Sequence, residues 1–177
     1  MIFNTSLRQG AVPKDWQHAN VCPIYKKGDP TSPGNYRPVS LTSIPCKIME
    51  HIISNQINRH LEHHKILTDA QHGFRQRRSC ESQLVSTIGD FISAIEDKSQ
   101  TDIVLLDFSK AFDKVSHRLL LHKLYHYGIE GHVLMNWIHA FLSNRTQEVI
   151  VDGSHSQKCG VSSGVPQGSV LLPPLYQ

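Results

Sequence analysis

Cysteine is scarce in this chain: Cys22, Cys46, Cys80 and Cys159 are the only four among 177 residues. They form neither a Cys-x-x-Cys pair nor the dense framework of a small secreted domain, so free thiols are expected. No apolar run approaches the roughly 18 residues that cross a bilayer. The opening Met1-Ile2-Phe3-Asn4 shows no basic segment followed by an apolar stretch and a small-residue cleavage site. An intracellular protein with no membrane partner is the expectation. Internal repeats and low-complexity tracts are absent too, which argues against solenoids and disordered tails. Charge of one sign is hardly in excess: the formal net charge is +3 and the pI near 8.7. That permits a nucleic-acid partner without requiring one.

What the sequence does contain is periodicity. The stretch 10–44 is rich in Pro, Gly, Ser and Thr and reads as mostly loop, with one short strand at 21–25 before Lys27-Gly28-Asp29-Pro30. From Pro45 onward, Ile48, Met49, Ile52, Ile53, Ile57 and Leu61 recur at helical spacing. Ser79 is a good N-cap for a second helix, with Glu81 in its first turn and Leu84, Val85, Ile88, Phe91, Ile92 and Ile95 on one face. Ile103-Val104-Leu105-Leu106 then predicts a short strand covered on both faces. Ser116 caps a helix carrying Leu119, Leu120 and Leu124 that stops near Gly128, and a further helix carries Val133, Leu134, Trp137, Ile138 and Phe141. Val149 and Val151, then Cys159 and Val161, flank Asp152-Gly153, a strong hairpin signal. Helices interleaved with a few strands predict an α+β or mixed α/β core.

The segment with most chemical content is Leu105-Leu106-Asp107-Phe108-Ser109-Lys110-Ala111-Phe112-Asp113. A carboxylate at the end of a buried strand costs desolvation unless it is paired or binds a cation, which singles out Asp107. Capping of the next turn is the plainer alternative. A hydrolase with Asp107 as nucleophile is a third, weakened because the second aspartate such phosphatases use two residues later is Ser109. The twelve histidines include His60, His63 and His64 and the i,i+4 pair His122/His126. Neither group has His-Glu-x-x-His or zinc-finger spacing, so solvated helix faces and ends are expected.

Four motifs then resemble one family in order. Leu106-Asp107-Phe108-Ser109-Lys110-Ala111-Phe112-Asp113 is similar to palm motif A of non-LTR (LINE-type, jockey-like) retrotransposon reverse transcriptases. Tyr36-Arg37-Pro38-Val39-Ser40-Leu41-Thr42 resembles the early fingers motif, and His72-Gly73-Phe74-Arg75 with Arg78-Ser79 resembles the next. Ser163-Gly164-Val165-Pro166-Gln167-Gly168-Ser169 resembles motif B. The resemblance implies a fingers region over 1–100 and a partial palm over 101–177 of a right-hand polymerase. It implies an RNA-directed DNA polymerase that extends a DNA primer on an RNA template with dNTPs, acting in the nucleus. Asp107, with the backbone carbonyl of Phe108, would ligate two Mg²⁺ ions, and Asp107 would be the catalytic carboxylate. Arg75 would hold the triphosphate, Phe112 would block a ribose 2′-hydroxyl, and Gln167 and Phe108 would lie against the nucleotide. Arg77, Arg78 and Lys110 would face nucleic-acid phosphates.

The sequence also departs from that pattern. Leu172 stands where the family places a glycine, Pro173-Pro174 would break the following helix, and no tandem aspartates occur anywhere. The expectation is a chain that stops before the Tyr-x-Asp-Asp hairpin and is inactive alone. The rival is a catalytically dead remnant that only binds nucleic acid.

Overall fold

The computed structural model describes residues 2–171, so Pro173-Pro174 and Leu172 lie outside the described residues. Among the described residues, five α-helices and a five-stranded mixed sheet follow one another as α1 (Ile2–Gln9), β1 (His18–Tyr25), β2 (Tyr36–Leu41), α2 (Ile44–His63), α3 (Cys80–Glu96), α4 (His117–His126), α5 (His132–Leu142), β3 (Arg145–Val151), β4 (Ser154–His155) and β5 (Cys159–Val161). The mixed α/β expectation holds. Among the described residues no helix is long and apolar enough to cross a membrane, and all four cysteines are free thiols.

The sheet runs β2-β1-β3-β4, with β5 also on β3. β1 pairs antiparallel with β2 over Asn20 to Tyr25 and parallel with β3 over His18 to Val21, so it is flanked on both sides at Asn20 and Val21. Here the loop reading of 10–44 is corrected: two strands occupy much of it. The expected strand at 21–25 lies within β1, and the prolines of the region sit where a ladder tolerates them. Pro38 is on edge strand β2, and its partner Pro23 lies beyond the stretch of β1 that pairs with β3. The expected hairpin forms, with Ile150 opposite His155 and Val151 opposite Ser154. Asp152 and Gly153 make its two-residue turn at φ +48 and +77, the left-handed pair such hairpins need.

The core lies between α2, α4 and α5. Cys46, Met49, Ile53, Ile57 and Leu61 of α2 pack with Leu120 and Leu124 of α4, with Trp137, Ile138, Phe141 and Leu142 of α5, and with Trp16, Val165 and Leu171. Trp137 and Phe141 stack at 5.5 Å between ring centroids, and Trp137 Nε1 donates to Ser6 Oγ, tying α1 to α5. The buried stripe of α2 is rotated from the predicted one. Ile48 and Ile52 face outward, while Glu50 and Ser54 are buried. Ser79 caps α3 by accepting from the Ser82 amide, and Ser116 caps α4 by accepting from the Leu119 amide.

The predicted strand at 103–106 is not one. Residues 101–108 have no regular structure, and Val104, Leu105 and Leu106 are 79%, 91% and 86% exposed. Both neighbours of β1 are already taken by β2 and β3, so this run finds no ladder among the described residues. A lone apolar tetrapeptide cannot hold an extended ladder conformation by itself. Helix α3 shares that isolation, burying none of its residues.

Candidate nucleic-acid and nucleotide site

Two segments some fifty residues apart meet at one point. The Val165 amide donates to the Phe112 carbonyl (3.0 Å), the Gly164 amide to the Val115 carbonyl (2.9 Å), and Ser163 Oγ to the Asp113 carbonyl (3.3 Å). His117 Nε2 lies 2.7 Å from the Gly164 carbonyl. Gly164 is required here. Its φ is +78, and a Cβ would come within 2.8 Å of the Phe112 carbonyl oxygen and 2.7 Å of that of Asp113. Gln167 follows, with Nε2 at 3.4 Å from Asp113 Oδ1, and its carbonyl accepts from the Ser40 amide of edge strand β2 (2.9 Å). The 163–168 turn is thus fastened to the 112–115 segment on one side and to β2 on the other.

Between them lies a cavity of about 220 Å³, whose walls include Val21, Ser40, Asp113, Arg145, Gly164 and Gln167. Arg145 is 3% exposed. Its Nη1 donates to the Phe141 carbonyl (3.1 Å) and more weakly to that of Trp16 (3.4 Å), and the guanidinium lies 4.8 Å from the Phe141 ring centroid. Nη2 makes no hydrogen bond among the described residues. Burial pulls the Arg145 pKa below the usual guanidinium value, and the negative potential of Cys46 and Glu50 works against that shift. Neither Arg145 nor Glu50 was singled out from the sequence. Glu50 was not legible, because apolar periodicity centred the predicted stripe on Ile48 and Ile52, which face outward, whereas the buried stripe runs through Cys46, Glu50 and Ser54. Arg145 gave no signal beyond opening a predicted strand region.

The remaining sequence candidates do not converge on this cavity. Asp107 and Phe108 line a separate open cleft of about 430 Å³ with Lys114, Val115, Leu119 and Lys123, and both are exposed. Phe112 is partly buried and packs against the hydrophobic core. Arg75 belongs to a third cleft of about 540 Å³ beside Asn55, Arg59, Glu62 and Phe74. It is already engaged: Nε and Nη2 donate to the two Glu62 oxygens (2.8 and 2.7 Å), and Nη1 donates to the Thr68 carbonyl (2.7 Å). That hydrogen bonding holds the Glu62 carboxyl below its ordinary pKa and the Arg75 guanidinium above its own. Arg78 pairs with Asp69 at 2.9 Å. Arg77 and Lys110 are exposed and make no ion pair among the described residues. Of the histidines, His60 Nε2 lies 2.7 Å from the Tyr127 carbonyl, and His122 and His126 lie 2.9 Å apart on α4.

The donors do not fit the implied pair of Mg²⁺ ions. Mg²⁺ needs near-octahedral oxygen ligation. Among the described residues no group of three or more His, Cys, Asp or Glu side chains is placed to hold a metal. Asp107 stands in its cleft with no second carboxylate on the walls.

The family model described as reverse transcriptase (RNA-dependent DNA polymerase) matches residues 24–177. The chain belongs to the reverse transcriptase family. It is 36% identical over 183 residues to the probable RNA-directed DNA polymerase from transposon BS of Drosophila melanogaster, covering 99% of this chain and 19% of that protein. It is 37% identical over 177 residues to the RNA-directed DNA polymerase from mobile element jockey of the same fly, again covering 99% and 19%. The Pol polyprotein from a type-1 R2 retrotransposable element of Popillia japonica is 31% identical over 174 residues, covering 96% of this chain and 23% of that protein. This reverse transcriptase chain therefore spans about a fifth of the length of the curated relatives it matches.

Proposed function

We propose that this chain is the fingers region (1–100) and part of the palm (101–177) of an RNA-directed DNA polymerase, and that its 163–168 turn is a surface for the template–primer duplex and the incoming nucleotide. The division at 100 is one of role, since the sheet runs across it. One observation carries the reading: the turn is fastened to both the 112–115 segment and β2, presenting Gln167 and Asp113 at a shared cavity. Gly168 is exposed, and without a side chain its backbone is open to a flat partner, while Gly164 lets the turn sit tightly on the 112–115 segment. Arg77 and Lys110, which make no ion pair among the described residues, supply cations for phosphates, and Arg78, paired with Asp69, adds a third next to Arg77 in the chain. Arg75 is assigned to triphosphate oxygens, which would replace the Glu62 carboxylate in its guanidinium fork. Phe112 stays a candidate for sensing the sugar, although its core packing favours a supporting role.

Asp107 is assigned as a catalytic carboxylate of the complete enzyme, which would hold two Mg²⁺ with the Phe108 carbonyl assisting. In this chain a single exposed carboxylate does not by itself fit a two-metal centre. That same observation favours a second reading, a module that binds nucleic acid without polymerising.

The test is fluorescence anisotropy with an RNA–DNA template–primer, run at several salt concentrations and paired with a primer-extension assay containing Mg²⁺ and dNTPs. Binding should fall steeply with salt, as expected where lysines and arginines displace counterions, and Gln167→Ala should weaken it. No extension is expected from the chain alone. A lack of duplex binding at low salt would sink the proposal. Extension abolished by Asp107→Ala would instead overturn the binding-only reading.

A further inference from the structure

A fully buried carboxylate sits behind the 163–168 turn. Glu50 of α2 is 0% exposed, and its Oε2 accepts hydrogen bonds from Ser169 Oγ at 2.6 Å and from the Val170 amide at 3.0 Å. Its Oε1 accepts a long contact from Cys46 Sγ at 3.7 Å. An ionised side chain in a protein interior costs several kcal/mol unless its lone pairs are well satisfied. Filling the α2 stripe does not call for it, since the neighbouring positions Cys46, Met49, Ile53 and Ile57 do so with apolar groups. What an apolar residue could not do is accept from Ser169 and Val170, which would then be left with buried, unpaired donors.

We propose that Glu50 is a positioning residue for the nucleic-acid site: by holding Ser169 and Val170 from inside the core, it fixes where Gln167 stands. This rests on the reading of the 163–168 turn given above. The geometry is that of a lever with two fixed points. Immediately before the clamp, Gly168 lies at φ +119, where a Cβ would come 3.1 Å from the Ser40 carbonyl, and the Gln167 carbonyl receives the Ser40 amide. Gln167 is therefore held between edge strand β2 and the buried carboxylate. Arg145, buried in the cavity wall, lies close enough to Glu50 for the carboxylate to raise its pKa against the effect of burial. Burial, with Glu50 next in effect, pushes the Cys46 thiol up to about 12, as the surroundings of a buried carboxylate would.

Two measurements on the whole chain separate positioning from general stabilisation. Glu50→Met keeps the volume and removes the acceptor, while Glu50→Gln keeps one acceptor oxygen. Residue-resolved amide exchange should show the Val170 and Ser40 amides exchanging about tenfold faster in Glu50→Met, in line with the loss of one net hydrogen bond. Amides of α2 and α5 should be unchanged, and Glu50→Gln should restore most of the protection. If Glu50→Met fails to fold, Ser169→Ala removes the same contact from the other end and should speed Ser40 exchange alike. Unchanged exchange at Ser40 and Val170, or a uniform loss of protection across the core, overturns the proposal. The second measurement is a binding cycle on the RNA–DNA duplex. Glu50→Met and Gln167→Ala should each weaken binding by similar factors, and the double variant should be no weaker than either. Fully multiplicative losses would show that Glu50 does not act through Gln167. Should the duplex not bind at all, the functional reading falls while amide exchange still decides the role of Glu50.

Discussion

Helices α2 and α3 both carry apolar residues at three- and four-residue spacing, and both begin after a serine. Helix α2 buries Cys46, Met49, Ile53, Ile57 and Leu61, whereas Leu84, Val85, Ile88, Ile92 and Ile95 of α3 all remain exposed. The 101–108 stretch after α3 is exposed as well, with Leu105 at 91%. Periodicity reports that a face is apolar, and it says nothing about where the covering surface comes from. For α2 the cover is α4, α5 and the 163–171 segment of the same chain. For α3 it is not among the described residues. An exposed apolar helix face of this kind is a candidate interaction surface.

The strongest way to break this comparison is to truncate one residue on each helix. Ile57→Ala, at 2% exposure, should cost about 2–5 kcal/mol in urea denaturation. Val85→Ala, at 72% exposure, should stay within about 0.5 kcal/mol, with alanine's helix propensity helping. Comparable losses at the two positions would mean that α3 is packed in solution and that the contrast is false.

Gly164 offers the next largest effect and probes the region where distant segments do meet. Gly164→Ala places a Cβ against the Asp113 and Phe112 carbonyls at a positive φ, and left-handed backbone for a non-glycine residue costs of the order of 1–3 kcal/mol. We expect lower stability together with weaker duplex binding. A variant as stable as the parent would show that the turn is not fastened there.

Thiol chemistry sharpens the contrast without touching packing. Cys46 lies inside α2 at 0% exposure with its pKa pushed up to about 12, chiefly by burial, while Cys80 opens α3 and is exposed. A maleimide or disulfide reagent at neutral pH should modify Cys80 and Cys159 promptly and leave Cys46 until the chain is unfolded. Mass spectrometry of partially labelled protein reads this directly. Early labelling of Cys46 would contradict the packed state of α2.

These two regions also mark how far the residues could be read in advance. Local chemistry was legible: Ser79 and Ser116 cap the helices they precede, and Asp152-Gly153 turns the β3–β4 hairpin. Each of those signals depends only on groups within four residues. Long-range pairing was not. Pro38 suggested loop, although on edge strand β2, opposite Pro23 of the predicted 21–25 strand, it costs no ladder donor. Ile103-Val104-Leu105-Leu106 has the composition of a buried strand, yet a strand exists only where a neighbour supplies its hydrogen bonds. The site followed the same division. Motif resemblance grouped Arg75, Phe108, Phe112 and Gln167 about one nucleotide; the 163–168 turn does meet the 112–115 backbone, while Asp107 with Phe108 and Arg75 line two separate clefts. Glu50 was overlooked because a charged residue on an otherwise apolar stripe resembles the start of the solvent face.

The smallest effect concerns the joint between the two regions, where Arg75, in the connection leading to α3, grips Glu62 near the end of α2. The hydrogen bonds from Arg75 hold the Glu62 carboxyl below its ordinary 4.5. A carboxylate whose folded-state pKa is depressed contributes stability that is complete above its unfolded value and fades as pH falls through the folded one. The contribution should therefore be intact at pH 6 and decline below about pH 4.5. The Glu62 side chain is 41% exposed, so solvent screening limits the pair to roughly 0.2–1 kcal/mol, or about 1–3 °C in Tm for a domain of this size. Glu62→Gln is the control. Other carboxylates, Asp29 and Glu81 among them, are also held low, but they titrate in both proteins and cancel in the difference. The Tm gap between parent and variant should be steady from pH 7 to 5 and close as the pH is lowered further. A gap that persists unchanged through the acid range would mean that the pair does not form in solution. Arg75 would then be free to meet a triphosphate without first releasing Glu62, and the α3 region would have lost the ion pair that fastens its N-terminal connection to the core.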